Sequence, residues 1–402
     1  MRMAQRGDRK RTARMALSVG LGGLLTLASL CGTAACTSDE GPSSSASTTR
    51  TTSARSPGAS TIEARRRAFQ VNHDDWGRLG YRLDWRGFAH VGPRQRVTHL
   101  TPYDDIVVVH ESGSVLSVLE ADTGALRNAN ELATPLTRFL GHVRDGSRVI
   151  VSSESELFAI DVTTGNLLDR KPLAKVASTS PMLAEGLIIN GTPAGEASAY
   201  LLGAPVRAWA FGMGDPIDTD PVIVGDAVGL VSRSGNVAFL DAASGSLVGR
   251  ARIFAGSDAT PAADGSTMFI ASLDQSIYAF HAHGGELAWR VRTARPLRQQ
   301  PTHHQGVVYV GTEDRGLLAL DAATGTERWA ASGVTGTVIG VRAGRLLVFN
   351  GREALTLDPD TGDVVERAAL PGVAILRPDA FVDGNLYAVS AQGVVAKFVP
   401  RS

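Results

Sequence analysis

Paired histidines offer the first candidate chemistry in this sequence. "HAHGG" sets His281 and His283 two residues apart, and "THHQ" makes His303 and His304 neighbours. Imidazole is a good transition-metal ligand, and side chains two apart on a strand share a face. No cysteine and no acid stands at a spacing that would complete a site, so all four are read as structural or solvent-facing. "NHDDW" (Asn72 to Trp76) clusters two carboxylates beside a histidine. It could hold a cation, although a solvated entry segment closed by an aromatic explains it as well. "RTARPLRQQ" (Arg292 to Gln300), with Arg290 just before it, is a basic stretch suited to an acidic partner or simply to water. Nucleophile elbows, H-E-x-x-H helices and phosphate loops are absent. The sequence therefore nominates no catalytic, cofactor-binding or metal residue.

The elements that would position such residues begin after an export signal. A basic stretch, an apolar run from Met15 to Leu30 and small residues before a cysteine occupy residues 1–35. Cys36 follows Thr33-Ala34-Ala35 and resembles the bacterial lipobox, which implies lipidation at Cys36; plain secretion and an uncleaved anchor are the alternatives, and all three export the rest of the chain. Cys31, after the bulky Leu30, fits less well, and no cysteine lies beyond Cys36, so the folded part has no disulfide. Residues 36–64 are Ser/Thr-rich and lack the apolar surface to fold. They read as a disordered tether with a root-mean-square reach of roughly 25 to 30 Å. Beyond residue 35 lie 34 of the 40 basic and 39 of the 40 acidic side chains. That mildly acidic balance argues against nucleic-acid binding.

Residues 65–402 repeat one phrase: "LSVLEADTGALRNA", "LFAIDVTTGNLLDR", "VAFLDAASGSLVGR", "IYAFHAHGGELAWR", "LLALDAATGTERWA" and "ALTLDPDTGDVVER". The turn glycines Gly124, Gly165, Gly245, Gly285, Gly325 and Gly362 are spaced by 41, 80, 40, 40 and 37 residues. The double step contains a degenerate copy, "AYLLGAPVRAWAFG", read as a turn shortened around Gly203. Pro181, Pro221, Pro261 and Pro301 hold the same 40-residue period independently. Each period contains four short extended runs and no room for a helix, which predicts an all-β propeller of four-stranded antiparallel blades.

Side-chain chemistry explains the repeated turn. The acid four residues before the glycine (Glu120, Asp161, Asp241, Asp321, Asp358) can accept hydrogen bonds from turn N–H groups, and the hydroxyl just before the glycine can do so more weakly. The glycine supplies a positive φ. In the copy ending at Gly285, His281 and Gly284 replace acid and hydroxyl, so its turn should be the least constrained. Trp289 and Trp329, four residues after their glycines, fall on the outermost strand, where a ring can cover the seam between blades.

First strands are expected near Val97, Pro135, Pro181, Pro221, Pro261, Pro301, Thr335 and Pro378, giving eight units. The last lacks a fourth strand. "LGYRLDWRGFA", carrying Trp85, is expected to supply it from the N-terminal side and close the ring. Seven blades would follow instead if the degenerate third copy were an insertion.

"LLALDAATGTERWA" resembles the PQQ-like, quinoprotein-type propeller repeat, over roughly residues 97 to 399. With a lipobox, a polar tether and one eight-bladed ring, the chain is similar to the BamB family of propeller lipoproteins in the outer-membrane β-barrel assembly machinery. That resemblance implies protein–protein contacts through loops on one rim; no contact residue of the family is matched. The other branch of the superfamily binds pyrroloquinoline quinone and oxidises alcohols or sugars with a metal held by acidic and amide side chains, often beside a vicinal disulfide. The folded part has no Cys-Cys pair, and the expected cofactor is none. The expectation is a non-catalytic, monomeric propeller scaffold, exported and lipid-anchored to the cell envelope, on the periplasmic or outer-membrane side in a two-membrane cell. It would meet envelope or membrane proteins through its loops and the membrane through its lipid. A quinone-dependent dehydrogenase and a small-molecule-sensing propeller are the alternatives.

Overall fold

A computed structural model describes residues 64, 69–134, 136–204 and 206–401. The signal segment, Cys36 and all but one residue of the tether lie outside the described residues, as do Pro135 and Pro205.

The strands form eight four-stranded antiparallel sheets, each a meander of consecutive strands except the last. In chain order these are blade I (97–131), II (139–172), III (182–212), IV (222–252), V (262–292), VI (302–331), VII (337–369) and VIII (375–400 with 81–88). The second and third strands of a blade are covered on both faces. Ile106–Glu111 and Val307–Thr312 are buried at every position, and this is why their sequences run nearly continuously apolar instead of alternating. Fourth strands such as Leu247–Arg252 keep one face in water.

Tyr81–Phe88 pairs antiparallel with Val394–Pro400, from Tyr81 opposite Pro400 to Phe88 opposite Val394. The N-terminal strand thus becomes the fourth strand of blade VIII and closes the ring, leaving no blade with an unfinished edge. All eight units, the degenerate third included, are blades. The first-strand boundaries differ at the end: the strand is Ile375–Pro378, so Pro378 finishes it, because Pro lacks the N–H that a continuing ladder would need.

Two further readings change. In blade III, Tyr200 pairs with Arg207, the same seven-residue step as Leu240 to Leu247 in blade IV. The degenerate turn is therefore not shortened; Leu201 merely stands where the acid would be. "NHDDW" is a capped helix, His73–Arg78, instead of a solvated segment: Asn72 Oδ1 accepts the Asp74 N–H at 3.1 Å, Asn72 Nδ2 donates to Asp75 at 2.6 Å, and Arg78 pairs with Asp75. Trp76 stacks on Phe398 within a core that includes Phe69, Leu79 and Tyr81. The packing locks the closing strand to the C-terminal one.

Candidate interaction surface

The repeated residues meet at the seams between blades. Asp161 accepts the N–H groups of Thr163 and Thr164 at 3.0 and 2.7 Å, and Asp321 those of Ala323 and Thr324 at 3.1 Å each. Asp241 accepts from Ser244 at 2.8 Å, and Asp358 from Asp360 and Thr361 at 2.9 and 3.1 Å. Hydrogen bonds from Thr164 hold the Asp161 carboxyl below its ordinary range; those from Ser244 do so for Asp241, and Arg328 with Thr324 for Asp321. Gly165, Gly245, Gly325 and Gly362 all adopt φ between +70° and +77°.

Glu120 departs from the pattern. Both its oxygens take Arg127, at 2.7 and 2.6 Å, because the extra methylene carries the carboxylate past the turn.

Each turn then receives the neighbouring blade. The indole N–H of Trp289 donates to Ala322 O at 2.8 Å, that of Trp329 to Pro359 O at 2.8 Å, and that of Trp85 to Ala121 O at 2.9 Å. In every case the acceptor directly follows the turn acid, and the ring covers the turn glycine: a Cβ on Gly325 would lie 2.7 Å from Trp289 Cδ2. The glycine is needed twice over, for its φ and for the room the ring takes. Trp209 makes the same contact with Ala242 O at 3.0 Å and covers Gly245. The sequence reading missed it, although its spacing of 80 from Trp289 carried the signal. Between blades I and II, Asn128 stands in for the ring and donates to Val162 O at 3.1 Å.

Seams of this kind hold the blades together and leave loops on two unlike rims. The loops joining first to second and third to fourth strands carry twelve carboxylates and, among the described residues, no Lys or Arg. The opposite rim bears the longer inter-blade connections 173–181, 213–221, 253–261 and 293–301, with nine basic and eight acidic side chains in all its loops. It also exposes Leu136, Phe254 and Val176, at 96, 80 and 53% of their surface. The acidic rim exposes Val206, Val382 and Leu201 as well, at 68, 50 and 49%, so the two rims differ in charge and not in apolar exposure.

Near the central channel, polar groups bind blade to blade. Ser180 donates its N–H to Asp220 at 2.7 Å and its hydroxyl to Leu140 O at 3.0 Å, and Thr302 donates to Val338 O at 2.9 Å. Beside them the structure gathers three histidines that the sequence reading did not single out. His99 lies with its ring centroid 6.0 Å from His110 and 6.2 Å from His142. Their strands come from blades I and II, and nothing in the local sequence links the three. Burial pushes all three pKa values down, His142 to about 3. Both ring nitrogens of His110 and of His142 are buried without a hydrogen-bond partner among the described residues.

The histidines that the sequence singled out are dispersed. His281 meets Thr267 at 3.3 Å and His283 meets Asp226 at 3.1 Å, while His303 stacks on Phe269 and His304 lies against Phe381. Arg298 pairs with Asp258. Among the described residues no group of three or more His, Cys, Asp or Glu is placed to hold a metal ion.

Comparisons with known proteins agree with this geometry. A family model described as outer membrane protein assembly factor BamB matches residues 111–257 and 233–402. The outer membrane protein assembly factor BamB of Burkholderia pseudomallei (strain K96243) is 29% identical over 138 residues, 34% of this chain and 36% of that protein, so the chain spans about a third of that relative's length. A 144-residue stretch is 35% identical to the serine/threonine-protein kinase AfsK of Streptomyces griseus, covering 33% of this chain and 17% of the kinase. The crystal structure of BamB from Moraxella catarrhalis superposes with a TM-score of 0.61 at 18% identity, covering 78% of this chain and 99% of the other, a likeness of fold.

Proposed function

This chain belongs to the outer membrane protein assembly factor BamB family, and on that premise we propose that it is a non-catalytic propeller scaffold of the cell envelope, lipid-anchored through Cys36, that docks envelope proteins by its loops. The observation that carries the reading is a closed ring whose repeated polar groups are already engaged at turns and seams, which leaves its loops, with exposed Leu136, Phe254 and Val176 among them, as the surface free for contact. A closed ring with few free edges presents its loops rigidly, so docking a partner costs little ordering entropy. Assembly of outer-membrane β-barrels is the pathway that family membership supports for those contacts. The ring serves as a single propeller, with the tether keeping it near the membrane.

Crosslinking in the native membrane, followed by mass spectrometry of the captured proteins and of the N-terminal peptide, tests the proposal. Barrel-assembly proteins recovered together with an acylated Cys36 are the expected result. A monomer with no specific partner would overturn the scaffold reading, and an unmodified Cys36 would overturn the anchor.

A further inference from the structure

Blades II, III and VII neutralise an arginine of the outermost strand with a glutamate at the start of the third strand. Glu156 takes Arg170 at 2.9 and 2.8 Å, Glu353 takes Arg367 at 2.7 Å, and Glu196 pairs with Arg207. Blades IV and V break this rule. Asn236 stands opposite Arg252, and Ser276 opposite Arg292. Arg252 keeps only Asn236 Oδ1 at 3.3 Å, and Arg290 keeps the Ser276 hydroxyl at 3.1 and 2.9 Å. The side chains of Arg250 and Arg292 have no hydrogen bond or ion pair among the described residues. On each outermost strand the two arginines are two residues apart and so share a face.

Phe254 adjoins this strip with 80% of its surface in water, yet it is held in place. The Arg290 guanidinium lies 5.1 Å from its ring centroid and 5.0 Å from that of Tyr278. Asp274 Oδ2 accepts both the Phe254 N–H at 3.1 Å and the Tyr278 hydroxyl at 2.6 Å. A fixed, uncovered aromatic beside unpaired guanidinium groups is a pre-organised contact whose charge calls for carboxylates. No lysine lies on this wall, and the arginine fork matches a carboxylate with two parallel hydrogen bonds.

We propose that the outer wall of blades IV and V, centred on Phe254, docks an acidic segment of a partner protein, with carboxylates on Arg250, Arg252 and Arg292 and an apolar side chain against Phe254. This rests on the scaffold reading and names one surface for it and the chemistry of its occupant.

The test is fluorescence anisotropy of a labelled peptide of alternating glutamate and leucine, titrated with the full-length detergent-solubilised protein. The expected result is binding that weakens as salt rises, at least tenfold weaker binding by Phe254→Ala and by the double variant Asn236→Glu/Ser276→Glu, and none of a lysine–leucine peptide. Because glutamate already occupies the matching position in three blades, the double variant should fold; Arg292→Glu, at an exposed position, is the second check. Absence of binding, or equal binding by wild type and all variants, would overturn the proposal. So would capture of vesicles containing phosphatidylglycerol through Arg292 without capture of the peptide. If the double variant still recovered every envelope partner on crosslinking, the scaffold would stand and this docking surface would fall.

Discussion

Between blades V and VI, a large ring on one blade covers a bare turn on the next: Trp289 lies over Gly325. Between blades IV and V, both sides are backbone. Gly249 occupies the position of the tryptophan, and the turn of blade V moves into the space, with the Gly284 N–H donating to Val248 O at 2.9 Å and a bridge joining Gly249 to Gly284. The "HAHGG" turn, expected to be the least constrained because it lacks the acid and the hydroxyl, is instead tied to its neighbour by main chain. One seam supplies volume from a side chain and the other from a displaced turn, so size at one position is matched by approach at the other. This complementarity also explains why the odd turn and the missing tryptophan occur at the same seam.

Removing the ring should have the largest effect. Trp329→Ala, with the indole 8% exposed, is expected to destabilise the propeller by about 3 kcal/mol or more in denaturant unfolding; a loss under about 1 kcal/mol would mean the ring merely covers the seam. Crowding the backbone seam comes next. A Cβ at Gly249 would meet the Ala282 carbonyl oxygen and lie 2.7 Å from the Gly285 nitrogen. Gly249→Ala should therefore cost roughly 2 kcal/mol, whereas Gly212→Ala, with nothing within 4 Å of its Cβ, should cost well under about 1 kcal/mol. Equal effects at the two glycines would break the comparison.

The channel end of the seam between blades I and II sharpens the contrast, because histidines fill it. His99, His110 and His142 have folded-state pKa values below the unfolded one, so between the two the unfolded chain binds more protons. Stability from this cluster is complete above about pH 6.5 and falls as pH drops below it, by up to about 1.4 kcal/mol per histidine per pH unit. His110→Leu should reduce the dependence of stability on pH between about 6.5 and 5; an unchanged slope would remove His110 as one of its sources. A small change is also expected from Asn128→Trp. It places a ring over Gly165 where Asn128 now bonds Val162, and stability should move by about 1 kcal/mol or less, readable as a shift in the unfolding midpoint.

The repeat itself determined most of the fold. Turn glycines and prolines holding one 40-residue period, strand runs apolar on both faces, and a last unit short of one strand together specified eight blades closed by the segment carrying Trp85. These features were legible because each is a local rule: a positive φ needs glycine, a doubly covered strand needs continuous apolar residues, and a turn acid bonds the N–H groups beside it. Glu120 escaped that reading because one added methylene let it choose a distant arginine over the near turn. What only the tertiary structure decided lies between blades. The docking of Trp209 on Gly245, the backbone seam at Gly249, the meeting of His99, His110 and His142, and the unpaired arginines around Phe254 all join residues from separate repeats or opposed strands. Local propensity cannot specify such contacts, since their energies exist only once the ring has closed and brought neighbouring blades face to face.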